Sequence, residues 1–222
     1  MSQVNLFKDF NELLFPNRCI ACGVLGIAIC STCRIGWNPH IFTTKISHEK
    51  KPPLKVTSSI IYSTIAQKVI LAAKESHIRK ADELVSGAIV HAISHTLKEE
   101  WIDYLIPIPS RSSAVRKRGR QFIEEMVEES ANRFSIPVIT PLSHSRSVRD
   151  QSGLHHTQRW NNLDGAFVVK ESQQFLGKAL LVDDLVTTGA TLIEAARALN
   201  HAGIEVIGAV TAAIAQPLRL SR

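Results

Sequence analysis

The segment ALLVDDLVTTGAT, residues 179–191, runs four apolar residues into two carboxylates and then into a hydroxyl-rich turn. A short unbroken apolar run of this kind suits a strand buried on both faces, as in a parallel sheet. The turn, Thr187-Thr188-Gly189-Ala190-Thr191, leads into a helical pattern with Leu192, Ala195, Ala196 and Leu199 on one face. Free backbone N–H groups at such a helix start favour an anion. Gly189 lets the backbone approach a phosphate closely, and the three threonines add hydroxyl donors. Asp183 and Asp184 would repel that phosphate, so a ribose diol or a magnesium ion is their natural partner. The alternative is a strand–helix junction whose Thr and Asp side chains only cap the helix.

Around this segment the pattern is that of one α/β domain. The chain has 222 residues, 45% hydrophobic and 21% charged, enough for a sizeable core. Its 26 Lys and Arg against 20 Asp and Glu give a net charge of +6, which favours anionic ligands. No apolar run approaches the ~18 residues of a membrane span, and the N-terminus has no basic-then-apolar leader pattern. These features predict a cytoplasmic protein.

From the N-terminus, Leu6, Phe10, Leu13 and Leu14 mark one face of a short helix that Pro16 ends. Cys19, Cys22, Cys30 and Cys33 follow as CxxC-x7-CxxC, using every cysteine in the chain. Two such knuckles present four thiolates to one tetrahedral Zn²⁺, with Gly23 easing the first turn. Disulfides or a redox CxxC are the alternatives, the first opposed by a reducing compartment. Residues 38–57, polar and containing Pro39, Pro52 and Pro53, read as a linker, so the expected division is 1–57 and 58–222.

Strands are expected at 58–62, 104–109, 137–139, 165–169 and 205–214. A helix is expected from Ile65 to Lys74, and a longer one capped by Asp82; a third carries Phe122, Met126, Val127 and Ser130. His40, His48, His91, His95 and the pair His155-His156 read as ordinary surface or helix histidines. After the prolines that end the 104–109 strand come Ser110, Arg111, Arg116, Lys117, Arg118 and Arg120, at the strand end where open α/β sheets place ligands. Residues 143–163 are polar and aperiodic, the signature of a functional loop.

The apolar strand, acid pair and TTGxT turn resemble the phosphoribosyl-diphosphate (PRPP) signature of type I phosphoribosyltransferases. The resemblance implies that Thr187, Thr188, Gly189, Ala190 and Thr191 wrap a 5′-phosphate while Asp183 and Asp184 contact ribose hydroxyls. With PRPP as ligand, Ser110, Arg111, Arg116 and Arg118 are candidates for the pyrophosphate, with Mg²⁺ as its counterion, and the 143–163 loop for a closing segment. More narrowly, the cysteine knuckles, Ile106-Pro107-Ile108-Pro109, Arg116 to Gly119, Gln151, Arg159, Asn162 and Gly165-Ala166-Phe167 together resemble the ComF family, from Cys19 to about Val210. That family is phosphoribosyltransferase-like and linked to DNA uptake in natural competence. This implies either transfer of a phosphoribosyl group to an unknown acceptor or a PRPP-sensing adaptor that meets single-stranded DNA or competence proteins. Two positions depart from the family: Arg120-Gln121-Phe122 replaces Phe-Asn-Gln, and Ala73-Lys74-Glu75 replaces a Leu-Lys-aromatic run.

Overall fold

The computed structural model describes residues 17–48, 51–145, 165–170 and 177–215. The expected N-terminal helix at 6–14 and all but the first three residues of the 143–163 loop lie outside them. The fold is mixed α/β, with a mainly parallel sheet flanked by helices, as the apolar strands predict.

A five-stranded sheet runs in the order β1 (Phe42–His48), β2 (Lys51–Ile61), β7 (Glu205–Ile214), β6 (Lys178–Val186), β3 (Tyr104–Pro107). Every pair is parallel except β1–β2. Val138 adds an isolated parallel bridge to Leu105 at the β3 edge, where the sequence suggests a further strand. Along β6 the side chains alternate between two cores, Leu180 and Val182 to one face and Ala179 and Leu181 to the other. That is why the run is apolar without a period: both faces are covered.

One face carries α2 (Thr64–Ser76), α3 (Arg79–Thr96) and α5 (Phe122–Ala131) together with the cysteine module, whose Trp37 is among the largest buried side chains. The module contains α1 (Ser31–Gly36). The other face carries α6 (Ala190–His201) and the ribbon of β4 (Leu142–His144) and β5 (Phe167–Val169). A short helix, α4 (Ser112–Arg118), follows β3 at its C-terminal end.

Residues 38–57 do not form a linker. Thr43 and Lys45 of β1 face solvent while Phe42 and Ile46 pack on the core, so half the strand is polar by design of its position. Pro52 and Pro53 sit where the β1–β2 register shifts, between Ile46 and His48, and before the β2–β7 ladder starts at Val56. Neither proline therefore has to donate to a central ladder. Because β2 spans Lys51–Ile61, the expected boundary at residue 57 falls inside a strand. Asp82 is likewise no cap: α3 starts at Arg79, and Asp82 lies in its first turn, bound to Arg120 at 2.9 Å.

Candidate functional site

The site forms where β3 and β6 end. A cavity of about 200 Å³ is lined there by Asp183, Asp184, Thr191, Lys74, Arg111 and Arg118, among others. Three regions far apart in the chain supply these groups: β6 with the turn and helix start after it, the segment from the end of β3 through α4, and the last turns of α2.

The two aspartates differ. Asp184 is 6% exposed and its Oδ2 lies 2.5 Å from Lys74 Nζ. Burial works against its charge, but the Lys74 ammonium outweighs burial and holds Asp184 below the usual carboxylate range. Asp183 is half-buried, and its Oδ1 accepts the Asp184 backbone N–H at 2.8 Å. Burial first, and the Asp184 charge second, push Asp183 well above the usual range. Both line the cavity, but Asp184 is committed to Lys74 whereas Asp183 holds its proton more firmly.

Downstream, Gly189 is the N-cap of α6, with φ +78°, and Thr188 Oγ1 accepts the Ala190 N–H at 3.3 Å. Thr187 is exposed, Thr188 and Thr191 half-buried, and Gly189 and Ala190 buried. The loop is covered by β1: a Cβ on Gly189 would stand 2.6 Å from Ile46 Cγ2 and closer still to Ile46 Cδ1. Gly189→Ala should therefore cost about 1–3 kcal/mol, read as a lower denaturation midpoint at unchanged slope. Adding Ile46→Ala should recover only part of it, because the positive φ remains.

Of the four residues expected at the pyrophosphate, Ser110, Arg111 and Arg118 line the cavity, whereas Arg116 is exposed and does not. Arg118 Nε donates to Glu75 Oε1 at 2.8 Å. Arg120 binds Asp82 at 2.9 Å and Glu125 at 2.6 Å, a structural role outside the cavity.

Among the cavity residues that sequence reasoning did not assign to the site are Lys74, His144 and Phe167. Lys74 stood out only as the centre of an altered run. His144 and Phe167 stack with ring centroids 4.9 Å apart, one on each strand of the β4–β5 ribbon. His144 Nε2 donates to Pro109 O at 3.1 Å, and burial, then the charge of Arg111, lower its pKa. The alternation of residues 142–144 and 167–169 is too short to read as paired strands.

On the opposite face of the sheet from α6, the four cysteines come together as the spacing predicts. Their sulfur atoms all lie within 4.8 Å of one another, with Cys19 and Cys33 buried. The Cys30 N–H donates to Cys19 Sγ at 3.4 Å. A closed set of four sulfur donors fits a structural tetrahedral Zn²⁺. His91 and His95 join no such group among the described residues.

Residues 114–219 match the family described as the phosphoribosyl transferase domain. No curated protein matches the chain. Among solved structures the chain is similar to an adenine phosphoribosyltransferase at 8% identity, covering 79% of this chain and 85% of that one, with a TM-score of 0.44. It is similar to the Saccharomyces cerevisiae adenine phosphoribosyltransferase at 9% identity, covering 82% and 86%, with a TM-score of 0.40. Against the Trypanosoma brucei enzyme, solved with AMP, pyrophosphate and ribose-5-phosphate, the values are 10% identity, 86% and 86%, and 0.40. No helix among the described residues is long and apolar enough to cross a membrane.

Proposed function

We propose that this chain is a phosphoribosyltransferase-like protein of the ComF kind that binds PRPP, or another phosphorylated ribose, in the cavity at the end of β6. The observation that carries this reading is the meeting, in one cavity, of the acid pair, the start of the α6 helix and three cations. In this reading the amides and hydroxyls of Thr187, Thr188, Gly189, Ala190 and Thr191 hold the 5′-phosphate. Asp183 takes the ribose hydroxyls, while Asp184, tied to Lys74, fixes the floor. Ser110, Arg111 and Arg118 receive the pyrophosphate.

As an enzyme, the protein would let a nitrogen of an acceptor form a bond to C1′ as the C1′–oxygen bond to pyrophosphate breaks. The bonding pair leaves with the pyrophosphate, and the acceptor nitrogen gives its proton to water. Positive charge developing on the sugar is favoured by the neighbouring carboxylates, and the leaving group by the arginines. Mg²⁺ would fit this chemistry, with Asp183, the cavity acid that Lys74 does not engage, to hold it; when bound it would supply neutralisation of the diphosphate. Zn²⁺ in the cysteine module is structural. The protein acts in the cytoplasm, within natural competence.

A second reading is favoured by Val24, Leu25, Ile27 and Ile35, all exposed on the cysteine module at 52% to 79%. They suit an adaptor surface, with PRPP as a sensed ligand and single-stranded DNA or competence proteins as partners.

Purified protein given PRPP, Mg²⁺ and a panel of nucleobases decides between them. Turnover predicts pyrophosphate release, abolished by Asp183→Asn, which keeps the side chain's shape but can never ionise when ligand and metal bind. Binding without release, together with DNA affinity that falls steeply with salt, selects the adaptor. If calorimetry shows neither PRPP nor ribose 5-phosphate binding at millimolar concentration, both readings fail.

A further inference from the structure

The last turn of α2 touches α4 at two points and β6 at one. Lys74 reaches Asp184 on β6. The next residue, Glu75, accepts from Arg118 Nε at 2.8 Å and lies 3.7 Å from Lys117 Nζ. Two residues on, His77 closes the helix in the left-handed region, at φ +52°, and its Nε2 donates to the Arg118 carbonyl at 2.8 Å. Arg118 is thus held by both its side chain and its backbone, at the point where Gly119, φ +73°, ends α4.

The side-chain bond has a direction. Glu75 takes the Nε edge of the guanidinium, and no described residue bonds either Nη group. Arg118 is only 19% exposed at its side chain and lines the cavity, whereas Glu75 does not. A guanidinium fixed at Nε and free at its two Nη groups offers a pre-aligned fork, the geometry that planar two-point recognition of phosphate oxygens requires. Burial raises the Glu75 carboxyl, but Arg118 outweighs it and keeps Glu75 charged.

We propose that Glu75 and His77 are positioning residues that aim Arg118 at the diphosphate end of the ligand. This rests on the phosphoribosyl reading above and adds to it a role for residues that touch no substrate.

The test is calorimetry of the full chain with inorganic pyrophosphate and, separately, with ribose 5-phosphate. Arg118→Ala should weaken pyrophosphate about tenfold to a hundredfold, the scale of lost charge-assisted bonds. Glu75→Ala should weaken it about fivefold to tenfold and leave ribose 5-phosphate unchanged, since that ligand is held at the other end. In an Arg118→Ala background, Glu75→Ala should have no further effect on pyrophosphate, the signature of action through the arginine. Glu75→Gln, which keeps an acceptor for Nε, should restore most of the affinity and guards against loss of the fold.

Tighter pyrophosphate binding by Glu75→Ala would make Glu75 a competing charge and overturn the proposal. Equal losses for both ligands would do the same, because they mark a general structural defect. If the unaltered protein binds ribose 5-phosphate but Arg118→Ala leaves pyrophosphate binding intact, this proposal alone falls. If the unaltered protein binds neither ligand, the phosphoribosyl reading itself falls.

Discussion

Replacing Glu194 by alanine should lower stability at neutral pH by about 3–5 kcal/mol, the range for breaking one side of a buried ion network. Glu194 lies on α6, one turn beyond Thr191, and is 1% exposed. Its carboxylate accepts from Lys51 Nζ at 2.8 Å, from the Gly165 N–H at 2.9 Å, and from Arg197 at 2.6 to 3.0 Å. Three segments meet there: the start of β2, the approach to β5, and the helix that carries the phosphate loop. The Arg197 leg is weakened by solvent, because that side chain is 38% exposed and water competes for it. Glu194→Gln keeps hydrogen-bonding capacity and loses charge, so about 1–3 kcal/mol is expected.

The pH dependence follows from the same contacts. Burial opposes ionisation of Glu194, but Arg197 and Lys51 outweigh it and hold the pKa below its ordinary value of 4.5. The unfolded chain therefore takes up this proton first as pH falls. The stabilisation is complete above the unfolded value and is lost as pH drops through the folded one. Urea unfolding of wild type and Glu194→Gln should thus differ at pH 7 and draw together as pH falls below the ordinary 4.5. A constant gap across that range would show that packing, and not charge, is what Glu194 contributes.

What could be read from the sequence follows from where information is local. β6, the turn and α6 are contiguous, and their apolar and small residues are fixed by burial within one segment. The cysteine cluster is likewise written in its spacing. The β1–β2 hairpin is not, because it presents one face to solvent and carries prolines that read as a break until the register shift is known. Nor are the partners of the acids. Lys74 and Glu75 sit in an ordinary helical pattern, and only the folding of α2 against β6 and α4 gives them charged neighbours. Arg116 and Arg118 are indistinguishable in sequence; helix phase puts one in the cavity and leaves the other in solvent.

Lys74→Met should be the most damaging single change near the cavity, at about 3–5 kcal/mol. Methionine keeps the apolar stem that spans toward Phe122, where the ammonium now sits 5.8 Å from the ring centroid, but removes the charge. Asp184 is then left 6% exposed, beside Asp183, with its bound cation gone. Asp184→Asn should cost less, because Lys74 is 22% exposed at its side chain and water can solvate its ammonium. The double variant removes both charges together, so it should be more stable than Lys74→Met alone, a coupling of about 1–3 kcal/mol. Acid makes the distinction sharper. In wild type Asp184 is held below its ordinary 3.8, so its contribution fades as pH falls under that value. Without Lys74, burial and the adjacent Asp183 raise the Asp184 pKa above the unfolded value, so the folded state binds the proton more tightly. Lys74→Met should therefore gain stability as pH falls from 7 toward 5, the opposite of what a salt-bridged aspartate does. Denaturant melts of Lys74→Met and of wild type at pH 7, 6 and 5 read this as a difference, because Asp183 holds a raised pKa in both. A difference that is flat over that range would mean that Asp184 finds another cation, and that Lys74 is not what keeps the acid pair in place.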